Sequence, residues 1–167
     1  LFTRPHYWPE QAKITKFRER DKAKHQKSLK TLEAFLKKNP NPVFITFGSM
    51  VNSQPKAAGR DIVDVLLKFK QAAIINTSWG GIELPETLPE YIHQVNDVPY
   101  DYLIPKVSAV IHHGGSGTTH SVFRCGKPQA IIPHIGDQFF WARQVEKKQA
   151  GIAGFPIKKW TNKRFTD

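Results

Sequence analysis

Residues 107–119 read Val107-Ser108-Ala109-Val110-Ile111-His112-His113-Gly114-Gly115-Ser116-Gly117-Thr118-Thr119. The run from Val107 to His112 has the length and apolar content of a buried strand, and it runs straight into a turn dominated by glycine. A helix is expected from about 117 to 125, stopped by Gly126. A strand that passes through a glycine turn into a helix is the repeating unit of a parallel sheet. The first amides of such a helix lack internal partners, and its dipole is positive there, which makes phosphate a natural guest.

The same alternation extends in both directions. Val43 to Phe47 reads as a strand ending at Gly48-Ser49, followed by a helix from about 56 to 70 marked by Ile62, Val63, Leu66, Leu67 and Phe69. Ala72 to Asn76 reads as a strand ending in Thr77 to Gly81, and Ile92 to Val95 as a weaker one. Gln129 to Ile132 is a strand broken by Pro133, a helix follows from about 138 to 149, and Ile152 to Phe155 reads as a sixth strand. Asp97 to Tyr102 reads as a proline-containing loop. Leu29, Leu32, Phe35 and Leu36 recur at helical spacing within the Lys-rich stretch 13–38, and Pro40 and Pro42 end that pattern. Strands and helices joined by short loops predict an α/β fold, a Rossmann-like doubly wound parallel sheet that binds ligands beyond its strands' carboxyl ends.

The chain has 167 residues and a formal charge of +11, is 40% hydrophobic, and contains one cysteine. One compact domain fits the length, disorder throughout does not fit the apolar content, and no internal disulfide can form. No apolar run approaches the ~18 residues of a membrane span. With no signal-peptide pattern, a cytoplasmic protein is expected. Residues 1–40 hold eleven Lys/Arg against four Asp/Glu, residues 41–145 eight of each, and residues 146–167 six against two. A neutral centre therefore lies between two basic flanks. The flanks suit either a solvated helix face and a tail, or a module that binds an anionic membrane or another polyanion on a Rossmann-like scaffold.

Three segments carry candidate chemistry. In His112 to Thr119 a histidine and the hydroxyls of Ser116, Thr118 and Thr119 surround the turn, although the spacing is neither G-x-G-x-x-G nor a Walker A loop. In Pro133-His134-Ile135-Gly136-Asp137-Gln138 a carboxylate and an amide suit sugar hydroxyls, and Asp137 equally suits a helix N-cap. Asp97 to Tyr102 is suited to border a flat ring, or simply to pack its tyrosines. No Cys/His cluster has zinc spacing, so no metal is expected. Ser49, His113 and Asp137 lack the G-x-S-x-G elbow of a hydrolase. Cys125, next to Gly126, reads as a small packed side chain.

Phe47 to Met50, Ile75 to Gly81, Val98 to Pro105, His112 to Thr119 and Gly136 to Ala142 together, in this order, resemble the C-terminal, donor-binding half of a GT-B nucleotide-sugar glycosyltransferase of the sterol 3-beta-glucosyltransferase type. The resemblance covers about residues 40–157. It implies an inverting enzyme that uses UDP-glucose as donor substrate, with no cofactor and no nucleic-acid partner. His113 and Ser49 would reach the diphosphate, and Gly115, Ser116, Gly117 and Thr118 would hold phosphate at the helix start. Trp79 and the backbone at Val98 would border the base, and Asp137 and Gln138 would bond the hexose. Where plant relatives carry a ribose-binding glutamate this chain has Ser121. The catalytic base and acceptor pocket belong to an N-terminal domain, the expected partner of this one. Residues 1–40 are then expected to be a linker and basic helical segment, and residues 41–167 the donor domain, cut at both ends and inactive alone.

Overall fold

The computed structural model describes residues 3–15, 29–77 and 80–167. Within them the elements run α1 (Lys30–Lys38), β1 (Val43–Thr46), α2 (Pro55–Phe69), β2 (Ala73–Asn76), β3 (Ile92–Val95), α3 (Tyr100–Leu103), β4 (Ala109–His112), α4 (Ser116–Arg124), β5 (Gln129–Ile131), α5 (Gln138–Lys147), β6 (Gly151–Ala153) and α6 (Asn162–Thr166). Short 3-10 turns follow α3 and β6. All six strands are parallel, in the order β3-β2-β1-β4-β5-β6. The chain builds outward from β1 to β3, then returns past β1 to lay down β4, β5 and β6. This is the doubly wound order expected from the alternating pattern, and its reversal lies between β1 and β4.

Residue parity along the strands decides which layer covers which face. Phe44 pairs in register with Ile74 and Val110, and these three share a cluster with Leu32 and Phe35 of α1, Leu103 of α3 and Val122 of α4. One residue on, Ile45 pairs with Ile75 and Ile111 and points to the opposite face. There Ile45 and Ile75 pack with Ile62, Val63 and Leu66 of α2, joined by Trp160 and Phe165. Ile131 packs with Trp141, Ala142 and Val145 of α5. Successive side chains of a strand alternate faces, so a strand covered on both sides must be apolar throughout, as three residues of β1 and all of β2 are buried.

Several expectations change. The helical pattern at Leu29 to Leu36 is α1, Lys30–Lys38, while residues 13–15 of the Lys-rich stretch are not helical and residues 16–28 lie outside the described ones. Asp97 to Tyr102 is not a plain loop. Pro99 is extended and caps α3, and the Tyr102 and Leu103 amides bond its carbonyl, with Leu103 fully buried. The C-terminal basic segment is not a solvated tail. Trp160 Nε1 donates to Asp61 at 2.7 Å and α6 packs on α2, an anchor made of residues too far apart in sequence for local pattern to show.

The β2–β3 connection holds no helix among its described residues. It crosses α2 at Gly59, where a Cβ would stand 1.9 Å from the Glu83 carbonyl oxygen. Gly59→Ala is therefore expected to destabilise the fold by about 2–3 kcal/mol, because backbone must move to admit the methyl. Urea denaturation followed by circular dichroism checks this. An unchanged midpoint would remove the crossing as a constraint.

Candidate functional site

The exits of β1, β4 and β5 lie side by side at the reversal of strand order, where an open parallel sheet leaves a crevice. Histidine builds the middle exit. His112 is fully buried, donates from Nε2 to Gln129 Oε1 at 2.8 Å, and accepts the Gly114 amide on Nδ1 at 3.1 Å. Both ring nitrogens are thus committed to structure, and the second bond pins the start of the glycine turn. Burial pushes this imidazole down to about 3, so it is neutral.

His113 lies in the gap between two loops. A Cβ on Gly48 would come within 2.6 Å of its Cε1, and a Cβ on Gly115 within 2.5 Å of its Nε2. Gly48 also has φ +57. The ring is 8% exposed, and its Nδ1 is buried without a hydrogen bond. Burial first, and the neighbouring His134 second, push the imidazole down to about 4.

Helix α4 begins at this ring. Its cap residue Gly115 is extended, no side chain caps it, and the first helical bond runs from Thr119 N to Gly115 O. The amides of Ser116, Gly117 and Thr118 precede that bond and face outward from the helix start. The glycines differ in kind. Gly114 has φ +91 and no room for a Cβ beside Ile131, and Gly115 makes way for His113. Gly117 is exposed, and a Cβ there would meet nothing within 4 Å. The fold demands the first two and leaves the third free.

The β5 exit closes the other side. Gln138, 5% exposed, accepts the His134 and Ile135 amides on Oε1 at 2.7 and 3.0 Å and donates from Nε2 to Met50 Sδ at 3.3 Å. It ties the β1 and β5 loops together, with one Nε2 hydrogen left over. Asp137 is exposed and accepts from Trp141 Nε1 at 2.9 Å; it makes no side-chain cap, so the N-cap alternative is not the one adopted. Ser49 stands exposed on the β1 turn. Val98 is 4% exposed with its side chain in the core, which leaves only its backbone to meet a ligand. Trp79 lies outside the described residues. Ser49, His113, Ser116, Gly117, Thr118, Asp137 and Gln138 therefore border one crevice, with Val98 two strands beyond β1.

Three supports were not legible beforehand. Thr46 Oγ1 bonds the Tyr100 hydroxyl at 2.9 Å and accepts the Gly48 amide at 3.1 Å, which holds the turn beneath His113. His134, 6% exposed, bonds the Ile132 carbonyl through Nδ1 and keeps Nε2 buried without a partner, its ring 6.3 Å from that of His113. A histidine in the proline-containing loop after the fifth strand was the only sequence signal for it. Among the described residues, no three His, Cys, Asp or Glu side chains converge to hold a metal ion.

His112, His113 and His134 are all held below the ordinary histidine value by burial. The unfolded chain therefore binds more protons than the folded one as pH drops below about 6.5, and stability is lost on acidification from there towards pH 4. Each histidine contributes up to about 1.4 kcal/mol per pH unit in that window. Denaturant midpoints measured from pH 7.5 to 4.5 should fall steadily, and His112→Gln should flatten the slope. A flat profile would show these imidazoles to be accessible to protons in the folded state.

Residues 60–164 match the family described as erythromycin biosynthesis protein CIII-like, C-terminal domain. A sterol 3-beta-glucosyltransferase of Arabidopsis thaliana is 31% identical over 167 residues, all of this chain and 26% of that protein. Another from the same plant is 40% identical over 124 residues, covering 74% of this chain and 20% of that protein. One from Yarrowia lipolytica is 43% identical over 117 residues, covering 66% and 8%. The chain thus spans about a quarter or less of these relatives. Among solved structures, the kitacinnamycin glycotransferase superposes with TM-score 0.63 at 18% identity, covering 77% of this chain and 33% of its own. The glycosyltransferase VinC in complex with DTDP superposes with TM-score 0.58 at 23% identity, covering 76% and 32%. The sheet order, the loop-to-helix turn at its reversal and the match over residues 60–164 lead to one conclusion: this chain belongs to the EryCIII-like C-terminal domain family of GT-B glycosyltransferases.

Proposed function

We propose that this domain binds the donor of an inverting glycosyltransferase, a UDP-hexose with UDP-glucose as first choice. The parent protein then transfers the hexose to a hydroxyl of a lipophilic acceptor such as a sterol. The observation that carries the reading is the helix start at α4, where three outward amides, a buried histidine and a glycine the fold does not require converge. The names of the relatives supply the acceptor and sugar class.

The chemistry follows from charge. A base in the acceptor-binding part of the protein deprotonates the acceptor hydroxyl, whose oxygen attacks the anomeric carbon as the bond to the diphosphate breaks. Negative charge develops on the leaving diphosphate. The amides of Ser116, Gly117 and Thr118 already point outward, so they stabilise that charge without reorganising. His113 is neutral when the site is empty and offers one N–H; an arriving diphosphate favours its protonated form. Gly117 lets the backbone approach the phosphate closely. Asp137 retains a free carboxylate oxygen and Gln138 one amide hydrogen for sugar hydroxyls. Ser49 reaches in from the β1 turn, Trp79 and the Val98 backbone flank the base, and peripheral contact with an anionic membrane gives access to a lipid acceptor. No helix among the described residues is long and apolar enough to cross a membrane.

Calorimetric titration of the domain with UDP should show binding in the high micromolar to millimolar range. His113→Ala should weaken it by at least about ten-fold, equivalent to ~1.4 kcal/mol. Folded protein that gives no heat at millimolar UDP would sink the donor reading.

Gly117→Ala separates fold from ligand. An alanine within a helix in place of glycine stabilises by about 0.5–1 kcal/mol where space is open, so the denaturation midpoint should rise. UDP affinity should fall in the same variant, because the methyl stands where the phosphate approaches. Unchanged affinity would mean that the ligand lies elsewhere.

A further inference from the structure

Lysines of the neutral stretch 41–145 and of both basic flanks are brought to one edge by the topology. Strands aligned in parallel register put all six strand entries along one edge, opposite the exits that form the crevice. Lys70, Lys106, Lys127 and Lys148 each stand two or three residues ahead of β2, β4, β5 and β6. Lys37 and Lys38 end the helix that leads into β1. Within three residues ahead of a strand the one acidic residue is Glu90, before β3, and Lys38 already bonds it at 2.6 Å. At about 4.8 Å per strand, the lysine-bearing entries from β2 to β6 form a row roughly 19 Å long.

Apolar groups stand among these charges. Phe69, 59% exposed, ends α2 with the Lys68 ammonium 5.4 Å from its ring centre, and Leu67 beside it is 45% exposed. Two shallow clefts open on the same edge. One of about 420 Å³ is lined by Glu33, Leu36, Lys37, Tyr102 and Lys106, with the Glu33 carboxylate accepting from the Tyr102 hydroxyl, and one of about 550 Å³ by Phe123, Lys127 and the exposed Ile152. Lysines near helix C-termini complement the helix dipoles, and that accounts for Lys37, Lys38, Lys68 and Lys147. Lys70 and Lys148 are the C-cap residues of α2 and α5, and Lys106 ends the 3-10 turn after α3 and donates to the Tyr102 carbonyl at 3.1 Å, so the dipole reaches these too. It does not account for Lys127, for the alignment of all four on one edge, or for exposed Phe69, Leu67 and Ile152 between them.

We propose that this strand-entry edge is the surface through which the domain docks on an anionic lipid bilayer. The lysines would lie over acidic headgroups while Phe69, Leu67 and Ile152 enter the interface. Point charges interspersed with apolar side chains suit a lipid surface, where each lysine adds attraction and each apolar group adds burial. Nucleic acid is the poorer fit, since the edge offers no groove lined by stacked aromatics and one arginine, Arg124, among its cations. The carboxyl edge stays free for the donor and the rest of the enzyme. This assignment rests on the membrane-contact part of the proposed function and is independent of the donor chemistry.

The test is co-sedimentation of the full 167-residue chain with phosphatidylcholine vesicles, with and without phosphatidylserine, at low and physiological salt. Wild-type protein should bind only the phosphatidylserine vesicles and release as salt rises. Reversing Lys70, Lys106, Lys127 and Lys148 to Glu should lower binding by roughly a hundred-fold or more, given what each lysine contributes near a charged surface. Reversing Lys158, Lys159, Lys163 and Arg164, the same charge change on residues that follow β6 and precede no strand, should cost only a few-fold. Phe69→Ser, a change at a side chain 59% exposed, should weaken binding without altering its salt dependence, with an unchanged circular dichroism spectrum as the check on folding. Equal loss in the two quadruple variants, an unaffected edge variant, or tighter binding of wild-type protein to single-stranded nucleic acid at equal salt would each overturn the assignment. UDP titration of the same proteins keeps the two readings apart, since lost UDP binding with vesicle binding intact overturns only the donor site.

Discussion

The crevice depends on one packing constraint: the His113 imidazole occupies the gap between Gly48 and Gly115, and neither position can carry a Cβ. That ring joins the β1 exit to the β4 exit. It fixes where the chain turns after both strands, and therefore where α4 begins and its amides point. Around it the supports are polar and buried. Thr46 and Tyr100 hold the Gly48 turn from below, His112 and Gln129 hold Gly114, and Gln138 ties the β5 loop to Met50. Buried polar groups confer this geometric definition when they are hydrogen-bonded, and His113 Nδ1 and His134 Nε2 are buried without a partner.

The positive character of the proposed phosphate site has little to do with the chain's net charge. It arises from oriented amides at a helix start, in a crevice whose histidines are neutral because burial disfavours their charged form. The lysines gather at the opposite edge. The sheet thus separates two kinds of positive surface: fixed dipoles at the carboxyl edge, and mobile, screened point charges at the amino edge.

Strand and helix alternation was legible because its cause is local. Apolar runs such as Val43 to Phe47 and the glycines that follow them carry their own signal, and the observed bounds differ from the expected ones by a residue or two at element ends. The helix at Tyr100 was not legible, because Pro99 and two tyrosines read equally as a loop until Leu103 and Ile104 find the core. The docking of Trp160 on Asp61 joins residues 99 positions apart, which no periodicity reports. At the site, the resemblance named residues on the β1, β4 and β5 exits, but not that Gln138 is spent mainly on holding two loops, or that His134 stands beside His113.

The sequence by itself determined the fold class, the turn at His113 to Thr119 and the family of that turn, because strand length, glycine placement and helix periodicity are short-range properties of the chain. Only the tertiary structure decided which glycines serve packing and which the packing leaves free, since that depends on what lies across the gap at Gly115 and what does not at Gly117. It alone also gathered charge that is scattered along the chain: parallel pairing sends every strand entry to the same edge, so Lys70, Lys106 and Lys127 of the neutral stretch stand in one row with Lys37, Lys38 and Lys148 of the basic flanks.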